Sequence, residues 1–231
     1  MKSLLAVFLL LILTAPVALA GGGKRSDEVQ RLRRAAEVFT EIMAIPDKAI
    51  PDDLLDRSAC IAIVPGLKKG ALGFGGKYGK GVVMCRKPDR RWSAPSFITI
   101  EGGSVGFQIG FSQSDVVLLI MNRKGIDKLI GDKFTLGADA SVAAGPVGRT
   151  ANAQTNVRLD AEILGYSRAK GLFAGVSLEG ATLRQDMDNI SDFYGKDINP
   201  RAILLEATVP MPAEARGLAS ALAHESPRKQ K

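Results

Sequence analysis

Histidine is almost absent from this sequence, and with it most side-chain acid–base chemistry near neutral pH. The single histidine, His224, falls near the end of the 231 residues. A serine or cysteine nucleophile therefore lacks a base within the body of the chain. Two cysteines, Cys60 and Cys85, with one histidine do not make a zinc site of the usual kind. Aromatics are few, at 6%, and after residue 20 no apolar run is long enough for a membrane-spanning helix. Acids are nearly missing from one stretch. Between Lys68 and Arg91, eight cations (Lys68, Lys69, Lys77, Lys80, Arg86, Lys87, Arg90 and Arg91) face only Asp89, a net +7 that equals the charge of the whole sequence. A local excess of this kind attracts polyanions, either phosphate-bearing lipid headgroups or nucleic acid.

The first twenty residues bear on which polyanion it meets. Lys2, the apolar run Ser3–Leu13 and the small-x-small site Ala18-Leu19-Ala20 read as a secretory signal peptide over 1–20. Gly21 stands where a lipoprotein anchor would need Cys. The expectation is an exported protein, periplasmic or secreted and peripherally membrane-associated, with anionic membrane lipids or an envelope protein as partner and no nucleic acid. Export also permits a Cys60–Cys85 disulfide; the alternative is two small buried hydrophobes.

Glycine is abundant, with 25 residues, which suggests many short strands. Ser26 is a good N-cap, and Val29, Leu32, Ala36, Phe39 and Met43 recur at helical steps, predicting an amphipathic helix over 27–45 ended by Pro46. Its apolar face either docks on the domain or lies in a membrane interface. Pro51 opens a short helix to Asp56. Short strands follow at 61–64, 71–75, 81–85, 92–100, 104–111 and 115–121, divided by the turns Glu101-Gly102-Gly103 and Ser112-Gln113-Ser114. A helix is expected over 122–130, then strands over 134–144, 160–167 and 172–183. A helix over 185–194, a strand or helical turn over 202–209 and a helix over 213–223 complete the chain, before a solvated tail, 224–231. The composite is one α+β domain over 21–223. It is mainly antiparallel sheet, barrel-like or two-layered, with the N-terminal helix and short peripheral helices.

Several motifs suggest chemistry and fail on spacing. The glycines of 73–81 miss both dinucleotide and P-loop patterns, since Tyr78 stands where G-x-G-x-x-G needs its third glycine. Gly102-Gly103-Ser104-Val105-Gly106 matches a nucleophile elbow, but the residues that follow alternate like a strand rather than a helix. An esterase using Ser104 is thus a remote alternative to a non-enzymatic protein. Asp186, Asp188 and Asp192 resemble part of a calcium loop broken at Ile190, and Asn189-Ile190-Ser191 is a glycosylation sequon. Neither metal nor cofactor is expected. The basic stretch remains as the candidate site. Its headgroup ligands would be Lys68, Lys69, Lys77, Lys80, Arg86 and Lys87, with Phe74, Tyr78 and Trp92 as interface aromatics. Four engaged cations would supply ~4 kcal/mol, a millimolar-scale attraction, so partial burial of an aromatic is needed as well.

A family resemblance lies in Ile63-Val64-Pro65, Lys68-Lys69-Gly70 and the run Gly75 to Val82. It continues through Trp92 to Phe97, Gly103 to Gly110, Leu136 to Arg149, Tyr166 to Gly180 and Phe193-Tyr194-Gly195. In this order, over about Leu54 to Leu205, the segments resemble the SYLF lipid-binding domain, in the guise of an exported bacterial member. The resemblance implies a non-enzymatic module that binds anionic lipids, phosphoinositides in eukaryotic members, with actin binding in some. The alternative it carries is a structural or protein-interaction module.

Overall fold

The computed structural model describes residues 22–45, 49–131, 133–148, 161–169, 172–176, 178–206 and 208–226. The expected signal peptide (1–20), Pro46 and residues 227–231 of the expected tail lie outside the described residues.

Helix α1, Gly22–Met43, begins earlier than its sequence signals suggest. Ser26 therefore lies inside the helix instead of capping it, and Glu28 is buried. Leu32, Ala35, Val38, Phe39 and Ile42 are buried at three- and four-residue steps, so the apolar stripe docks on the domain. Each large side chain so buried contributes roughly 1.5–3 kcal/mol.

The six short strands expected between 61 and 121 are in fact two long ones. Strand β1, Cys60–Cys85, and strand β2, Ser96–Ile120, pair antiparallel from Cys60↔Ile120 to Val83↔Ser96. The expected turn Glu101-Gly102-Gly103 is continuous strand opposite Tyr78, Lys77 and Gly76, and Ser112 to Ser114 pair with Leu67 to Lys69. These small and polar residues serve close backbone approach and bending rather than chain reversal. A Cβ on Gly79 would lie 2.8 Å from Leu67 and Val64, and one on Gly81 only 2.5 Å from the Ile63 carbonyl oxygen. Strand β1 thus doubles back on itself, with register shifts at Val64/Leu67 and Leu72/Phe74. The buried Cys60 and Cys85 close the fold-back as a disulfide, and the Arg86 N–H donates to the Ala59 carbonyl at 2.8 Å. Gly81→Ala should destabilise by about 1–3 kcal/mol, the usual cost of overpacking. An unchanged melting temperature would mean that the two arms of β1 are not in contact.

Strand β2 is the spine. With β1 along one edge, its other edge carries β7 (Thr182–Gln185) at residues 98–101 and β5 (Ile163–Ala169) at 115–120. Strand β3 (Lys133–Thr135) adds to β7, while β4 (Val142–Ala144) and β6 (Leu172–Gly175) add to β5. Among the described strands all pairings are antiparallel except β4 with β5, and the sheet curls into a half-barrel. The run expected as one strand over 134–144 is interrupted by a turn at 137–139, and the run 172–183 is divided into β6 and β7.

The short helices are α2 (Asp52–Arg57), α3 (Arg123–Leu129), α4 (Met187–Tyr194), α5 (Pro200–Leu204) and α6 (Arg216–Glu225), the last entered by a 3-10 turn. Pro51 caps α2 rather than opening it. The tail expected from residue 224 starts later. His224 and Glu225 belong to α6, and the buried Ser226 donates to Asp56 at 2.8 Å and accepts from Arg86. Among the described residues no helix is long and apolar enough to cross a membrane.

Candidate functional site

A groove of about 630 Å³ opens between α1 and the folded-back β1. Helix α1 lines it with Arg31, Arg33, Arg34, Asp27 and Glu37, and β1 with Pro65, Gly66, Lys68, Tyr78, Gly79 and Lys80. Five cations thus face two acids. The glycines of β1 determine this geometry, because the fold-back brings Lys68 and Lys80 to one wall although twelve positions separate them.

The cations are not equivalent. Lys80 Nζ lies 3.1 Å from the Asp186 carboxylate and donates to Asn189 Oδ1 at 2.9 Å. Asp186 also accepts from Thr99 at 2.9 Å; burial pushes its carboxyl up, but the hydrogen bonds from Thr99 and Lys80 outweigh this and hold it below the ordinary range. Asn189 donates to the buried Glu28 at 2.7 Å and accepts from Arg31 at 3.2 Å. Desolvation raises the Glu28 carboxyl. These residues form a polar floor that ties α1, β1, β2 and α4 together. Arg34 pairs with Glu37 at 3.1 Å on the surface. Arg33 and Lys68 are exposed and make no ion pair among the described residues. They are the cations available to a ligand.

The basic stretch is divided in space. Lys68, Lys69, Lys77 and Lys80 lie on the long ribbon formed by β1 and β2, whereas Arg86 and Lys87 lie at its bridged end. Arg86 stacks 4.4 Å over the Trp92 ring and donates to the Leu55 carbonyl at 3.3 Å and to Ser226. Burial lowers its pKa, and Trp92 is itself buried. Trp92 is thus an interior aromatic, and Arg86, half-buried, is engaged with it, with Leu55 and with Ser226. Lys87 sits 3.9 Å from Asp89 in the β1–β2 connection. Lys77 is half-buried, and burial and then the neighbouring Lys69 lower its pKa. Tyr78 is 47% exposed at the groove; the Phe74 side chain lies outside the described set.

Ser104 sits within β2 opposite Gly75, so the strand–turn–helix of a nucleophile elbow does not form there. His224 contacts Glu225 at the surface. Asn189 of the sequon is buried in the polar floor, and Asp186 caps α4. The α1 arginines were legible in sequence only as charges on a helix. That they complete a groove with Lys68 depends on a packing partner which no local pattern names.

The chain is similar to known proteins over most of its length. Residues 101–225 match a family model, Ysc84, described as Las17-binding protein actin regulator. SH3 domain-containing YSC84-like protein 1 of Homo sapiens is 37% identical over 194 residues, 83% of this chain and 56% of that protein. Its Rattus norvegicus counterpart is 36% identical over the same length. LAS seventeen-binding protein 3 of Saccharomyces cerevisiae (strain ATCC 204508 / S288c) is 39% identical over 171 residues, 72% of this chain and 37% of that protein. The chain therefore spans about half the length, or less, of these curated relatives.

Proposed function

Because this chain belongs to the Ysc84 family of SYLF domains, we propose that it is a non-enzymatic binding module that docks an acidic partner in the groove between α1 and β1. The observation that carries this reading is the pair Arg33 and Lys68, exposed and outside any ion pair among the described residues, on facing walls of a groove with five cations and two acids. Exposed cations contribute little to stability and much to the attraction of an anionic surface.

The family's description as a Las17-binding actin regulator, and the yeast relative's name as a LAS seventeen-binding protein, support a protein partner first. Filamentous actin is the direct probe. Wild-type protein should pellet with filaments at low salt, and Arg33→Glu/Lys68→Glu should stay in the supernatant. If wild type also stays in the supernatant, filaments are not the partner.

A second reading is an anionic lipid surface. The observation favouring it is the β1–β2 ribbon, which bears lysines and a half-exposed Tyr78 together. Export by a leader over 1–20 would carry such a module to the cell envelope, where phosphate headgroups are abundant. Pelleting with phosphatidylserine vesicles but not with pure phosphatidylcholine supports this reading. Equal pelleting with both rejects it.

A further inference from the structure

Glu28 on α1 is the most deeply buried charged residue described, 1% exposed, and its carboxylate has few partners. One oxygen, Oε1, accepts a hydrogen bond from Asn189 at 2.7 Å; the other, Oε2, is buried with no hydrogen-bond partner among the described residues. An ionised carboxylate can accept about four hydrogen bonds and is costly to bury with fewer. The cation beside it is Arg31, one helical turn on, whose Nη1 lies 3.8 Å from Oε1. That is an electrostatic contact, too long for a hydrogen bond. The closer partner of Arg31 is neutral, Asn189 Oδ1 at 3.2 Å.

The surrounding charges favour a neutral Glu28. Asp27 on α1 and Asp192 on α4 both act against its ionisation. Lys80 on β1 is held by Asp186 at 3.1 Å, and β2 offers Arg31 the ring of Phe97, 5.8 Å away. Burial is the largest influence and raises the carboxyl; its own backbone amide and Arg31 pull the other way without reversing the shift. Arg31 also lines the groove, with its side chain 14% exposed. With Glu28 ionised, the guanidinium has a buried counter-charge behind it. With Glu28 neutral, it keeps its bond to Asn189 and its full charge faces the groove.

We propose that Glu28 is a proton-controlled counter-charge for Arg31, holding the guanidinium when ionised and releasing it to an acidic partner in the groove when protonated. The inference rests on the acidic-partner reading above and gives that site its regulation. The effect is reciprocal. An anion in the groove favours the protonated form of Glu28, so binding takes up a proton and tightens as pH falls.

The test measures affinity for dextran sulfate, whose charge is constant between pH 5 and pH 8. Wild type should bind about threefold more tightly at the lower pH, the scale of one partly screened charge. Glu28→Gln keeps the acceptor for Asn189 and mimics the protonated acid. It should bind more tightly than wild type at pH 8 and equally at pH 5. Histidine also changes charge in this range. The single one, His224, lies outside the groove lining and is common to both proteins, so its contribution cancels in the comparison. If Arg33→Glu/Lys68→Glu binds like wild type, the groove is not the site, and the acidic-partner reading and this inference fall together. If that variant loses binding while wild type and Glu28→Gln differ by the same factor at both pH values, the groove stands and control by Glu28 is overturned. Should Glu28→Gln not fold, a carbon-13 NMR titration of the wild-type carboxyls decides. Glu28 should titrate above the other glutamates and move further up with dextran sulfate; no movement overturns the proposal.

Discussion

Arg33→Glu together with Lys68→Glu should weaken binding to an anionic surface by nearly three orders of magnitude and leave the fold intact. Each cation near such a surface contributes about 1 kcal/mol, and its reversal adds a repulsion of similar size, so two reversals amount to ~4 kcal/mol. Both residues are exposed and outside any ion pair among the described residues, so thermal unfolding should hardly change. Vesicle co-sedimentation across a salt series is the measurement, since screening should shrink the difference as salt rises. Equal binding by wild type and variant at low salt would sink the groove as the docking site. Lys80 is unsuitable for the same experiment. Its reversal would set a second carboxylate against the buried Asp186, and lost binding would then reflect lost structure.

Reduction of the Cys60–Cys85 bridge is the other large effect. The bridge closes a loop with a sequence separation of 25. For a loop of this size the chain-entropy model gives about 3 kcal/mol, with the mechanism model-dependent. In a domain this long, that corresponds to a melting temperature lower by roughly 6–12 °C. Calorimetry with and without reductant, and on Cys60→Ser/Cys85→Ser, measures it. Unreduced, denatured protein should titrate no free thiol. Two titratable thiols would remove the bridge and leave both cysteines as buried filler.

The sequence made some of this visible and concealed the rest for physical reasons. Leu32 and Phe39 signalled the docked face of α1 because helical spacing is a local property. The strand character of 61–121 was equally local. Its continuity was not, since Gly102, Gly103 and Ser112 have the composition of a turn and only a partner strand distinguishes the two. Cys60 and Cys85 flank what reads in sequence as separate strands, 61–64 and 81–85, and are the two ends of one. The charge excess was plain in sequence, but its division was not: Arg86 is drawn inward by Trp92 and Ser226 while Lys68 stays outside. The missing half of the site, Arg33 on α1, lies thirty-five positions from Lys68 and meets it only through tertiary packing.

The bridge at the ends of β1 makes residues 60 to 85 a covalent ring that contains every lysine of the ribbon. A protease that cuts once inside this ring opens a gap in the backbone without releasing either side. The two pieces stay joined through sulfur and migrate as one species until a reductant is added. A nick at the arm that meets a partner would therefore be invisible on a non-reducing gel. Such a cut could impair binding in a preparation that looks whole, so integrity of the ribbon has to be judged under reducing conditions.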